Sequence, residues 1–192
     1  MSQNELYPIF LKVHQLNVLI VGGGNVALEK VSFLLKSSPN AQVQMVAPFF
    51  LEEVKELVSK HDVDMVIAPY HTEFLKGKHL VIVATDMEEV NQLVYTECKE
   101  REILVNVADT PAYCDFYLGG IVTKGNVKIA ISTNGKSPTM AKRLRQFFED
   151  LLPDEMNDLV QNLNEFRNGI KGDFASKVSK MNNLTKGLIN DR

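Results

Sequence analysis

The sequence predicts an α/β fold: a doubly wound parallel sheet wrapped by helices, followed by a β-hairpin with its own helix and then a small helical region. Three observations lead there. Short β-rich runs alternate with amphipathic stretches through the first half, as in a parallel sheet covered by helices. Three consecutive glycines follow directly on the first apolar run and open a helical stretch. After Asp109 the alternation stops, and hairpin and helix patterns take over.

Residues 17–21 (NVLIV) read as a fully buried strand, because a short continuous apolar run suits a strand covered on both faces. Residues 42–47 (QVQMVA), 65–68, 80–84 (LVIVA) and 104–108 (LVNVA) read as further strands. Helices are predicted between them over 26–36, 51–60 and 88–101, the last with Val90, Leu93 and Val94 on an apolar face. Residues 121–123 and 127–132, joined by Lys124-Gly125-Asn126, suggest a hairpin. Ser137-Pro138 then opens a helix, since serine caps free amides and proline is tolerated at the first helical position. That helix is predicted to stop at Pro153. Met156, Leu159, Val160, Leu163 and Phe166 keep helical spacing in the tail, and Phe174, Val178 and Met181 resume it after Gly172. The predicted division is therefore 1–118, 119–152 and 153–192.

The composition is that of an ordinary globular chain, with 192 residues, 45% hydrophobic and 23% charged. A net charge of −3 argues against general nucleic-acid binding. The longest apolar runs fall far short of the roughly 20 residues of a membrane span. No basic segment followed by a long apolar stretch opens the chain, so neither a leader nor a membrane association is expected. Cys98 and Cys114 are too far apart for a CxxC motif and fit a reducing, cytoplasmic setting. His14, His61, His71 and His79 are scattered, and no metal site is expected. His71 and His79 are read as surface residues.

Gly22-Gly23-Gly24-Asn25-Val26-Ala27 matches GxGxxA, with a strand before it and a helix after. In this Rossmann-type arrangement the first glycine allows a tight turn and the second lets backbone approach a pyrophosphate. The alanine packs helix closely on strand. The helix N-terminus adds unpaired amides and partial positive charge. The usual ribose-binding acid is missing: the second strand ends Ala47-Pro48-Phe49-Phe50, without an arginine for a 2′-phosphate either. A dinucleotide is predicted, with NAD only weakly favoured over NADP.

Two acids stand at predicted strand ends, where open α/β sheets bind their ligands. Asp86 lies three residues before Glu89 at a helix start, which favours a capping role. Asp109 precedes Thr110-Pro111 and is read equally well as a turn residue or as a carboxylate that accepts a proton. Between Asp115 and Glu149 no acid occurs, while Lys124, Lys128, Lys136, Lys142, Arg143 and Arg145 do. This segregation fits a polyanionic ligand, a solvated helix face or a subunit interface.

Taken together these residues resemble the precorrin-2 dehydrogenase family, including the N-terminal part of multifunctional siroheme synthases. The matching elements are Tyr7-Pro8-Ile9-Phe10, residues 18–27 with Lys30, Ala84-Thr85-Asp86 with Asn91, Asn106-Val107-Ala108-Asp109, and residues 132–138. The resemblance implies oxidation of precorrin-2 to sirohydrochlorin with NAD as cofactor, and a homodimer joined through the segment after the nucleotide domain. It assigns catalysis to Asp109 and cofactor contacts to Gly22, Gly23, Gly24, Asn25, Val26, Ala47, Pro48, Phe49 and Thr85. It gives the polycarboxylate substrate to Lys136, Ser137, Lys142 and Arg145. Some members of that family also insert iron into the product, so ferrochelation is a second implied activity. A serine modified in some relatives is Thr133 here. A different class stays open beside it: a dinucleotide-sensing Rossmann module that regulates a partner without catalysis.

Overall fold

The computed structural model describes residues 4–187, which form two compact units. The first takes in the chain as far as Gly119 together with Ser132–Ser137. Its strands are β1 (Asn17–Val21), β2 (Gln42–Ala47), β3 (Val63–Ile67), β4 (Leu80–Val83) and β5 (Leu104–Val107). Helices α1 (Asn25–Ser37), α2 (Glu52–Val58) and α3 (Glu88–Glu100) connect them. All neighbours pair in parallel in the order β3-β2-β1-β4-β5. Strand order therefore reverses between β1 and β4, and sheets of this kind bind ligands outside the strand carboxyl ends at such a reversal.

The period-two alternation of the strands divides the core into two layers. Val18 and Ile20 face Ala27, Val31 and Leu35 of α1 and Val54 and Val58 of α2. Leu19 and Val21 face the other way, with Val81, Val83, Val94 and Cys98. Because β1 is covered on both faces, its continuous apolar run is required at every position. Each such side chain contributes about 1.5–3 kcal/mol on burial.

Some expectations need correction. On α3 the buried residues are Asn91, Val94 and Cys98, and Leu93 is exposed. Strand β3 starts two residues earlier than predicted. It lies at the sheet edge, where Asp64 faces outward to accept a hydrogen bond from Gln44. His71 is exposed, as expected, and its Nδ1 caps the short 3-10 helix Thr72–Leu75. His79 Nδ1 accepts from the Asn17 amide at 2.9 Å.

The second unit contains β6 (Gly120–Lys124), β7 (Val127–Ile131), α4 (Pro138–Leu151), α5 (Met156–Gly169) and α6 (Phe174–Thr185). Strands β6 and β7 form the predicted hairpin, with Lys124 opposite Val127. Gly125 takes φ +56° at the first turn position, a conformation that favours glycine. Asn157 Oδ1 accepts both the backbone amide and the side-chain amide of Asn126, which ties the turn to α5. Lys124 pairs with Asp154 just before that helix. Helix α4 begins at Pro138, as predicted, and packs on β6, where Gly120 leaves room for the Ala141 carbonyl and the Arg145 stem. Met140, Leu144, Phe147 and Leu151 of α4 stay exposed at helical spacing. Gly172, at φ +129°, precedes the last helix, which Asp173 caps through the Ser176 amide.

Candidate dinucleotide and active site

The glycine loop leaves β1 at the reversal of strand order. Gly22 has φ +130° and donates its amide to the Val46 carbonyl at 2.9 Å. A Cβ there would collide with the Ala84 carbonyl of the neighbouring strand end. Gly23 accepts from the Leu51 amide at 3.0 Å, and a Cβ on it would collide with the Phe49 carbonyl and crowd the Phe50 ring. Gly24 differs: nothing lies within 4 Å of a Cβ at that position. The loop thus carries two glycines demanded by the protein's own backbone and one that faces open space.

Helix α1 starts at Asn25, with Gly24 at its N-cap in extended conformation. No side chain caps it, and its first turn holds no acid. The first intrahelical bond runs from Leu28 to Gly24, which leaves the earlier amides, including those of Asn25 and Val26, without helical partners. An uncapped N-terminus, free of internal carboxylates and bordered by open space at Gly24, fits a pyrophosphate. At the end of β2 Ala47 is buried, while Pro48 and Phe49 are exposed. Phe49 turns 65% of its surface outward and Phe50 only 6%, so one ring lies open at the strand end while its neighbour seals the core beneath Gly23.

At the end of β4 the Thr85 hydroxyl is already engaged. It donates to Asn91 Oδ1 at 2.6 Å and accepts from the Met87 amide at 3.2 Å. Asn91 Nδ2 also donates to the Thr85 carbonyl at 3.2 Å. This pins the loop into α3. The predicted cap by Asp86 does not form: Met87 is the N-cap, without a capping side chain, and Asp86 is exposed.

Asp109 follows β5 by two residues, is exposed, and holds φ +58°. Such left-handed backbone is uncommon outside glycine, although aspartate and asparagine visit it more readily than most. The turn is closed by the Thr110 amide on the Val107 carbonyl at 3.2 Å. The chain then doubles back along β5. The Asp115 backbone amide donates to the Val105 carbonyl at 2.8 Å, while the Asp115 carboxylate accepts the Val105 amide at 3.1 Å and pairs with Lys99 at 2.6 Å. Asn106, 6% exposed, donates to the Phe116 carbonyl at 2.7 Å. Tyr113 stacks on Tyr95 of α3 with ring centroids 4.6 Å apart. Burial pushes up the Cys114 thiol beneath this turn, and both cysteines are free. The sequence names several of these residues, Asn106 and Cys114 among them, but not their pairings, because each joins residues whose proximity only the fold decides.

Gly22–Val26, the Ala47–Phe49 corner, Thr85 and Asp109 therefore all follow carboxyl ends of one parallel sheet. Lys136 and Ser137 lie in the Ser132–Ser137 loop of the same unit. There Thr133 Oγ1 accepts from the Ser137 amide at 3.2 Å and lies 3.1 Å from its carbonyl, while Asn134 and Gly135 take positive φ. Lys142 and Arg145 belong to α4 of the second unit. Lys142 is exposed, whereas Arg145 pairs with Glu149 at 2.6 Å, one helical turn on. Among the described residues no group of three or more His, Cys, Asp or Glu could hold a metal ion. None of their helices is long and apolar enough to cross a membrane.

A family model described as "Putative NAD(P)-binding" matches residues 9–120, more than half of the chain. The chain belongs to this NAD(P)-binding family. Its matched span covers every strand of the parallel sheet and the Asp109 turn. A second model, "Sirohaem biosynthesis protein central", matches residues 124–151 of this NAD(P)-binding family member. A siroheme synthase of Pseudoalteromonas translucida is 40% identical over 170 residues, covering 88% of this chain and 36% of that protein. A siroheme synthase of Nitrosococcus oceani is 38% identical over 167 residues, 87% of this chain and 35% of that one. The chain thus spans about a third of the length of these curated relatives. Among solved structures, SirC, a precorrin-2 dehydrogenase, superimposes with a TM-score of 0.74 at 25% identity, covering 97% of this chain and 90% of that one. The NAD(P)-binding chain therefore shares its fold with a protein of nearly its own extent.

Proposed function

We propose that this chain is an NAD-dependent precorrin-2 dehydrogenase of siroheme biosynthesis. The observation that carries the reading is the exposed carboxylate of Asp109, fixed in a left-handed turn at the same sheet edge as an uncapped, glycine-lined helix N-terminus. The likeness in extent to SirC supports it.

Bound NAD+ would supply the hydride acceptor. The Gly22–Gly24 loop and the first amides of α1 would hold its pyrophosphate, and the open Phe49 ring would offer its adenine a flat apolar surface. Oxidation of precorrin-2 removes one hydride and one proton. The Asp109 carboxylate is suited to take the proton, since a general base must come within hydrogen-bond reach of the proton it removes and Asp109 is exposed at the carboxyl end of the sheet. Lys136 and Ser137 of the first unit would meet substrate carboxylates; in the second unit Lys142 is exposed and Arg145 is partly neutralised by Glu149. A homodimer is part of the reading, because the exposed apolar stripe on α4 suits a self-complementary contact. A cytoplasmic setting goes with it.

Anaerobic incubation with precorrin-2 and NAD+ tests the proposal through the visible spectrum of the tetrapyrrole. Conversion to sirohydrochlorin is expected. NAD+ binding with an unchanged tetrapyrrole spectrum would favour a dinucleotide-sensing module instead.

A further inference from the structure

We propose that Cys114 is a positioning residue for Asp109, a thiol clamp that holds the left-handed turn presenting the carboxylate. The inference rests on the reading of Asp109 as proton acceptor. Cys114 Sγ lies 3.2 Å from the Val107 carbonyl oxygen and 3.4 Å from that of Thr110. These two residues flank the turn on either side of Asp109, so one thiol proton ties both of its ends. Asn106 Nδ2 approaches the sulfur at 3.4 Å and holds it from β5. The same amide donates to Phe116, beyond the turn, at 2.7 Å.

Sulfur hydrogen bonds are individually weak. Here they act on a backbone that otherwise has reason to relax, since a non-glycine residue at φ +58° is held by its surroundings. The thiol is partly buried, and burial keeps it protonated, hence a donor, at neutral pH. The Thr110 carbonyl also accepts from Tyr113 at 2.9 Å, so the clamp is anchored to the ring stack on α3. Glycine loop and clamp sit on different strands. Loss of the clamp should therefore misplace the carboxylate and leave cofactor binding alone.

The test compares wild type, Cys114→Ser and Cys114→Val as full chains, with Cys114→Ala added should valine fail to fold. Turnover of precorrin-2, calorimetric NAD+ affinity and amide exchange at Thr110 are measured on each. Valine, which keeps bulk but no donor, should lower kcat by on the order of tenfold to a hundredfold, the scale of a small misplacement. NAD+ affinity should not change, and serine should recover most of the loss. Wild-type kcat in the valine and alanine variants overturns the clamp, as does an equal loss with serine. If wild type itself shows no turnover, the dehydrogenase reading fails and exchange alone decides. Faster Thr110 exchange with valine or alanine but not with serine supports the clamp, and any other pattern overturns it.

Discussion

The Asn91 side chain holds Thr85 at both of its polar groups, receiving the hydroxyl at 2.6 Å and donating to the carbonyl at 3.2 Å. Asn91 is only 6% exposed, so its amide has no water to turn to if these bonds are lost. Asn91→Leu should destabilise the fold by about 1–3 kcal/mol, the cost of leaving buried polar partners unsatisfied. Thr85→Val spares the carbonyl bond and should cost less. Urea denaturation of the two variants ranks them, and the reverse order would contradict the double hold.

The three loop glycines should separate into two behaviours. Gly23→Ala forces a methyl group into the Phe49 carbonyl, and Gly22→Ala adds a strained φ to its clash with Ala84. Both should unfold at lower temperature, with overpacking alone costing about 1–3 kcal/mol. Gly24→Ala meets no protein atom within 4 Å and should leave the melting temperature nearly unchanged. Its methyl would instead stand where a pyrophosphate approaches, so calorimetry should find weaker NAD+ binding. Equal affinities for wild type and Gly24→Ala would remove the loop from the cofactor site.

Cys98 gives the fold an alkaline limit. Burial, followed by the charge of Glu97, pushes its thiol from 9.0 up to about 12. The folded state therefore holds a proton that the unfolded chain gives up first. That contribution is fully present below about pH 9 and is lost as pH climbs from there towards 12. Tyr70, raised by burial and by its hydrogen bond to Glu97, acts in the same direction at higher pH. Denaturation midpoints measured from neutral to alkaline pH should fall less steeply for Cys98→Val than for wild type. The native Cys98 thiol should resist alkylation at neutral pH and react on unfolding.

The α4 stripe should govern assembly. Met140, Leu144, Phe147 and Leu151 are exposed in the single chain, at 53%, 37%, 57% and 44%. Phe147→Asp should shift sedimentation from dimer to monomer and leave the helical signal intact. A wild-type protein that sediments as a monomer at all concentrations would contradict the proposed homodimer.

The parallel sheet is legible because its central strands are buried on both faces, and a short uninterrupted apolar run fits little but a strand covered in that way. The boundaries of β1 and β2 match the prediction for that reason. Edge strand β3 is harder to read, since Asp64 interrupts its run and finds its partner, Gln44, only on neighbouring β2. On α3 the sequence offers Leu93 to the core, yet the fold buries Asn91, because the Thr85 loop needs an amide more than the core needs another leucine. The Asp86 and Glu89 spacing suggests a cap, yet no side chain caps α3, and Thr85 instead braces the loop before it by accepting the Met87 amide. Gly22–Gly24 are readable as a cofactor loop, but the demand for glycine at Gly23 comes from the Phe49 carbonyl, which follows another strand. The acid-free run before Glu149 suggests uncommitted cations, and Arg145 spends its charge on Glu149 at the end of that run.

The central claim is tested most directly by following reduced nicotinamide formation from precorrin-2 and NAD+ under anaerobic conditions, with wild type beside Asp109→Asn. Asparagine tolerates the same left-handed backbone, so the turn should survive and only the proton acceptor is lost. Wild type should form one reduced nicotinamide for each precorrin-2 consumed. The variant should bind NAD+ equally well and turn over on the order of 10²–10⁴-fold more slowly, the usual weight of a positioned general base. Equal rates in the two proteins, or no nicotinamide reduction by wild type, would contradict the account.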